Sequence, residues 1–246
     1  MPKCLRMIDK SDDYTIDKPL IDSLPFRMII CGKSGLGKTS LIGSMLLLPE
    51  FYGNDFKGDD IFIFSPLKND FKMETIIEQK EIPEENIFTE FDDEILNAIY
   101  DNIADEYEMR VSKKLKPKQK LIVLDDLSFS GCLKGGLYNS VNRLFMNGRK
   151  HLANIIISSQ KYSQISTGQR SNATSIVFYN SSIKEKELLE TDCNYTDSKK
   201  TFMKMLAENL KEKRDFMVLN HSNELKDLYL NRDFEPILIG EKQVGS

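Results

Sequence analysis

A chain of 246 residues, 40% hydrophobic and 29% charged, can bury a sizeable core, and a formal net charge of −4 excludes a generic polybasic nucleic-acid binder. Its four cysteines (Cys4, Cys31, Cys132, Cys193) are scattered, with no C-x-x-C pair, which argues against a zinc site or a disulfide framework and suits a reducing compartment. No apolar run reaches membrane-spanning length, so no membrane partner is expected, and the polar stretch Met1 to Lys18 does not read as a signal peptide.

Residues 1–24 read as a lead-in, closed by a turn at Leu24-Pro25 that feeds the first strand. Met28 to Cys31 is a short apolar run of the buried-strand kind, followed by a glycine-rich turn and a helix over Ser40 to Leu48. Pro49 and Gly53 break the chain before a second strand, Ile61 to Phe64. Asp70 to Lys80 reads as a helix, and Phe91 to Val111 as another, with Ile95, Ile99 and Ile103 at helical spacing under an acidic exterior. A basic loop, Lys113 to Lys120, leads into a third strand, Leu121 to Asp125, and a small-residue loop, Ser128 to Gly136, leaves it. Leu137 to Met146 is expected to be helical, Asn154 to Ile157 and Ser175 to Tyr179 to be strands, and Lys184 to Glu190 and Asp197 to Lys211 to be helices. Phe216 to Asn220 and Leu228 to Leu230 could close the chain as a hairpin. Strands alternating with helices imply an α/β fold with a largely parallel central sheet covered on both faces. A core over 25–182 is expected, with 183–246 as helices and a hairpin packed on the same domain.

The strongest chemical signal is Gly32-Lys33-Ser34-Gly35-Leu36-Gly37-Lys38-Thr39, a G-x-x-x-x-G-K-[ST] match between a strand and a helix. Glycines let backbone N–H groups curl around a phosphate, and the helix N-terminus beginning near Ser40 adds partial positive charge. Lys38 can reach the β- and γ-phosphates of ATP, and the Thr39 hydroxyl can ligate Mg²⁺. Lys33 either adds charge near the γ-phosphate or points to solvent. The second signal is Leu121 to Leu124 followed by Asp125-Asp126, carboxylates at the carboxyl end of a buried strand, where open α/β sheets place ligands. Asp125 suits Mg²⁺, directly or one shell further out, and Asp126 suits a base that polarises an attacking water. Ile155 to Ser159 ends in Gln160, an amide able to bond the γ-phosphate or the water. His151 and His221 lack metal-ligand spacing and read as structural.

Gly32 to Thr39, Asp125-Asp126, Asn147-Gly148-Arg149-Lys150-His151, Ser158-Ser159-Gln160 and Gln169-Arg170-Ser171-Asn172-Ala173 together resemble the FtsK–HerA superfamily, and within it the genome-packaging ATPases of poxviruses, other large DNA viruses and virophages. The resemblance spans Leu24 to Tyr179. It implies a RecA-like domain that assembles into a homo-oligomeric ring, hexameric or pentameric, and pumps double-stranded DNA into a preformed capsid. It also implies a capsid-vertex partner and a place in the cytoplasmic virus factory or the virion. Asp126 departs from a pattern in which many relatives carry glutamate. The resemblance implies an arginine delivered in trans, with Arg149, Arg170 and Arg143 as candidates; the inserted Lys150 departs from the family spacing. The basic loop and the Ser128 to Gly136 loop with Lys134 are rival DNA contacts, and a solvated loop that balances the acidic helix before it is the competing reading of the basic loop. A small-molecule kinase and a regulatory nucleotide switch are the competing readings. A GTPase is disfavoured by the lack of N-K-x-D, and an ABC-type ATPase by the lack of L-S-G-G-Q.

Overall fold

A computed structural model describes residues 13–18, 21–66, 70–127 and 139–238. Eight strands form one sheet in the order β3-β2-β4-β5-β1-β6-β7-β8. The strands are β1 (Arg27–Cys31), β2 (Ile61–Phe64), β3 (Ile87–Phe88), β4 (Lys120–Leu124), β5 (Ala153–Ser159), β6 (Ser175–Tyr179), β7 (Phe216–Asn220) and β8 (Tyr229–Leu230). β3 through β6 in that order pair in parallel, while β7 and β8 add the antiparallel hairpin at one edge.

Alternation along each strand divides the core into two layers. Met28 and Ile30 of β1 face the same side as Leu121 and Val123 of β4 and Ile156 of β5. There they meet Leu41, Ile42, Met45 and Leu46 of α1 (Lys38–Leu47) and Met73 and Ile76 of α2 (Phe71–Lys80). Ile29 and Cys31, with Ile122, Leu124, Ile155 and Ile157, face the other way. That side is covered by α3 (Asp93–Ser112), α4 (Ser140–Asn147), α6 (Ile183–Cys193) and α7 (Lys199–Asn209), with α5 (Thr167–Asn172) packed against α4. Both faces of the central strands are therefore buried, which explains their continuous apolar runs.

Several boundaries differ from the sequence reading, each for a local reason. α1 begins at Lys38 rather than Ser40, because Gly37 takes a positive φ of 107° as its N-cap. Ile99 and Ile103 of α3 are buried as expected, but its first turn buries Leu96 in place of Ile95, which is 39% exposed, and Tyr100 completes the stripe. β3 has only two residues, too few to alternate visibly, yet Phe88 stacks on Phe64 of β2 with ring centroids 4.6 Å apart. α4 starts at Ser140, where the Asn139 side chain accepts from the Val141 and Asn142 amides. The Ser128 to Gly136 loop, with Lys134 and Cys132, lies outside the described residues, as do Leu137, Cys4 and Met1 to Asp12.

The basic loop enters β4 at the edge opposite the strand tips, and there it is partly tied down. Lys120 pairs with Asp60 at 2.7 Å and Glu106 at 2.8 Å, and Lys118 lies 3.6 Å from Asp60. Only the pair with Glu106 joins the loop to α3; the other two go to Asp60, just before β2. Beside them, the buried Asn154 of β5 accepts from the Phe26 N–H at 2.9 Å and donates to the Gln119 side chain at 2.9 Å and the Lys120 carbonyl at 3.0 Å. One amide thus fixes the entry of β1 against β4. An unpaired buried polar group costs about 1–3 kcal/mol, so Asn154→Leu is expected to lower the unfolding free energy by about 2 kcal/mol or more, read from urea denaturation.

Candidate nucleotide site

Above the carboxyl ends of β1, β4 and β5 lies a cleft of ≈ 230 Å³ walled by Ser34, Gly35, Gly37, Lys38, Thr39, Asp125 and Asp126. The first three come from the loop between β1 and α1, and Lys38 and Thr39 open α1. That loop can turn so tightly because Gly35 and Gly37 adopt positive φ values of 77° and 107°. Its start is fixed from both sides. The Gly32 N–H donates to the Ser159 carbonyl at 3.0 Å, and a Cβ on Gly32 would sit 2.6 Å from the Tyr179 Cβ. Lys38, only 7% exposed, donates to the Gly32 carbonyl at 2.8 Å and the Lys33 carbonyl at 3.4 Å, which holds its ammonium across the mouth of the loop.

The acidic pair is held by the tip of β5. Ser158 donates its hydroxyl proton to Asp125 Oδ1 and accepts from the Asp126 N–H at 3.1 Å. Gln160 Nε2 lies 3.1 Å from each carboxylate oxygen of Asp126. Asp126 sits at φ 49°, a left-handed conformation that aspartate tolerates better than most residues. Burial pushes the Asp125 carboxyl above its usual range, and the Ser158 hydrogen bond pulls the other way.

Thr39 Oγ1 lies 3.5 Å from Asp125 Oδ2. A hydroxyl and a carboxylate facing each other are hard oxygen donors, and Mg²⁺ takes few protein ligands of this kind beside substrate phosphates, so the pair fits that ion. No group of three or more His, Cys, Asp or Glu suited to a metal occurs among the described residues.

Not every expected site residue reaches the cleft. Gly32 acts through its backbone, as above. Lys33 is exposed and lines a separate hollow with Leu36, Asn180, Ser181 and Lys213. Leu36 is buried in the core, and Ser40 lines a groove between α1 and α2. Gln160 does not line the cleft itself but touches its wall through Asp126. Arg170 is occupied within its own subunit: its side chain is 10% exposed, bonds Asp192 and the Ile165 carbonyl at 2.7 Å each, and lies over the Tyr162 ring. Arg143 pairs with Asp101 at 2.6 Å and sits over Tyr100. Arg149 is exposed in a helical turn, Gly148–His151, that precedes β5. At roughly 3.3 Å per residue, the seven residues of β5 put it about 20 Å from the cleft edge.

Three residues of the wall went unnoticed in the sequence: Asp70, Lys72 and Met73 at the start of α2. Asp70 caps the helix by accepting from the Lys72 N–H at 3.0 Å. A capping aspartate followed by lysine gave a helix signal but no chemical one.

A loop of this geometry, a carboxylate pair on β4 and β5 inserted between β4 and β1 define a P-loop NTPase with an additional strand beside the P-loop strand. The family model described as Poxvirus A32 protein matches residues 15–229, and the chain belongs to that family. No curated protein sequence matches. Among solved structures, the genome-packaging NTPase B204 of Sulfolobus turreted icosahedral virus 2, in complex with AMP, aligns with a TM-score of 0.57 at 14% identity, covering 87% of this chain and 98% of that one. B204 described as the DNA-packaging ATPase of Sulfolobus turreted icosahedral virus aligns at 0.55 and 13%, covering 90% and 100%. EssC (ATPases 2 and 3) of Geobacillus thermodenitrificans aligns at 0.52 and 13%, covering 89% of this chain and 40% of that one.

Two charge-assisted hydrogen bonds to phosphate oxygens are worth about 1.5–3 kcal/mol each, so Lys38→Ala is expected to weaken ATP binding by about 100-fold or more in fluorescent-nucleotide titrations. Asp126→Asn is expected to keep nucleotide affinity within about threefold while lowering turnover by about 100- to 10,000-fold, the usual worth of a positioned base.

Proposed function

We propose that the chain is an ATP-hydrolysing, Mg²⁺-dependent motor that translocates double-stranded DNA, packaging a viral genome into a preformed capsid. The observation that carries this reading is the joined tip of β4 and β5. It sets a carboxylate pair and its positioning amide against a phosphate-binding loop, in a chain of the Poxvirus A32 family. Lys38 and the loop amides hold the β- and γ-phosphates; Thr39 and Asp125 would hold Mg²⁺, which would supply charge neutralisation on those phosphates. Asp126 accepts a proton from the attacking water, and Gln160 fixes the carboxylate that does so. B204 is a genome-packaging NTPase, and the fold it shares with this chain supports the same reading here.

The motor works as a ring of identical subunits, hexameric or pentameric, seated against a capsid-vertex protein in the cytoplasmic virus factory. Arg149 supports the ring. It stands at the edge opposite its own cleft, so any nucleotide it touches belongs to a neighbouring copy, in the head-to-tail contact that closes rings. Among the described residues no helix is long and apolar enough to cross a membrane.

A motor must release its track in each cycle, and few phosphate contacts per subunit suffice. Long duplex DNA is expected to raise ATPase turnover without sequence preference. The logarithm of DNA affinity should fall with the logarithm of salt by about 0.9 per neutralised phosphate. Turnover indifferent to duplex DNA returns the kinase and nucleotide-switch readings. In mixtures, Arg149→Ala subunits are expected to depress wild-type turnover by more than their fraction; dilution in proportion removes Arg149 from the neighbour's cleft.

A further inference from the structure

At the edge of the sheet opposite the nucleotide cleft is a second polar cavity, of ≈ 260 Å³, with Arg27 and Arg149 in its wall beside Thr15, Ser23, Thr174 and Ser222. Arg27 is the first residue of β1, the strand that ends in the phosphate-binding loop. Its backbone N–H donates to Thr174 Oγ1 at 2.8 Å, which fixes where the side chain begins. Its guanidinium is only partly used: Nη1 donates to the Phe145 carbonyl at 3.3 Å. Nε is buried and has no hydrogen-bond partner, and Nη2 donates to no group among the described residues.

A buried donor without a partner is costly, and native structures seldom keep one without a reason. The nearest buried carboxylate does not supply the partner. Asp22 is turned to hydroxyls, accepting from Thr174 and from Ser222 at 2.9 Å. Burial lowers the Arg27 guanidinium pKa, the charge of Asp22 opposes that shift without a hydrogen bond to the guanidinium, and the charge of Arg149 adds to it, so two like charges share one cavity. The carboxylate on the wall, Asp17, is exposed. The idle Nε–Nη2 edge of a guanidinium is the planar fork that grips two oxygens of one oxyanion.

The geometry points to a binding site for a terminal, doubly charged phosphate group, gripped by the Nε–Nη2 edge of Arg27 with Arg149 beside it. Two guanidiniums match a terminal phosphate better than a phosphodiester, which carries one charge. Such a group has two sources: free inorganic phosphate or pyrophosphate, or the nucleotide of a neighbouring subunit. The second source rests on the ring proposed above; the site itself does not. If that source is used, β1 links the two ends of the cycle directly. A phosphate sensed by Arg27 at one end of the strand meets the subunit's own phosphate-binding loop at the other.

The probe is pyrophosphate, titrated calorimetrically into the full chain carrying Lys38→Ala, which weakens the nucleotide cleft. In that background one pyrophosphate site is expected, and Arg149→Gln and Arg27→Gln are each expected to raise its Kd about tenfold or more. Thermal unfolding checks that Arg27→Gln folds; should it not, the exposed Arg149→Gln decides. Binding that neither substitution changes, or no binding at all, overturns the site. Displacement of pyrophosphate by a short DNA duplex overturns it in favour of a phosphodiester ligand. The source is read separately, with intact clefts: Arg27→Gln subunits mixed into wild type should depress turnover by more than their fraction if the neighbour's nucleotide is the ligand, and in proportion if free phosphate is. Because the titration needs neither hydrolysis nor DNA, its failure leaves the motor reading standing, and failure of DNA stimulation leaves the site standing.

Discussion

The last two residues of β5 and Gln160, which follows it, hydrogen-bond to the ends of both strands beside them, and the catalytic edge depends on that contact. Ser159 accepts from Gly32 on the β1 side; Ser158 and Gln160 reach Asp125 and Asp126 on the β4 side. The phosphate-binding loop and the acidic pair lie far apart in sequence and touch each other only weakly, through Thr39 and Asp125. Their spacing is set by the strand between them. Because β5 is fully buried and pairs along its length with β1 and β4, its tip cannot shift without disturbing the centre of the sheet. Preorganisation here comes from the register of a parallel ladder, a stiffer support than any loop.

The same strand has a second anchored end. Asn154 near its start binds the entries of β1 and β4, as its last residues bind their exits. Polar residues at both ends of an otherwise apolar strand anchor it to its neighbours at each edge of the sheet. The helices on the two faces supply burial, and the polar residues at the two edges supply register.

Much of this was legible in the sequence where one residue type has one physical use. The glycine spacing from Gly32 to Gly37 required a tight turn, and apolar runs ending in Asp125 or Gln160 required buried strands with polar tips. Ser158 was quoted in the sequence pattern but not singled out, because a serine at a strand end is usually unremarkable; its role appears only when β5 is found between β1 and β4. Arg170 and Arg149 were indistinguishable as letters. Packing separates them, since the partner of Arg170 comes from α6, remote in sequence. Arg27 was invisible for the same reason: nothing local marks a donor left idle by its tertiary surroundings.

If the β5 tip positions the acidic pair, removing one hydroxyl from it should impair chemistry and spare binding. Single-turnover ATP hydrolysis by Ser158→Ala, with ATP affinity measured on the same protein, tests this most directly. The account predicts hydrolysis slowed by about 10- to 100-fold, a loss of about 1.4–2.7 kcal/mol in transition-state stabilisation, with affinity within about threefold. Hydrolysis at the wild-type rate, or an equal loss in binding, would contradict it.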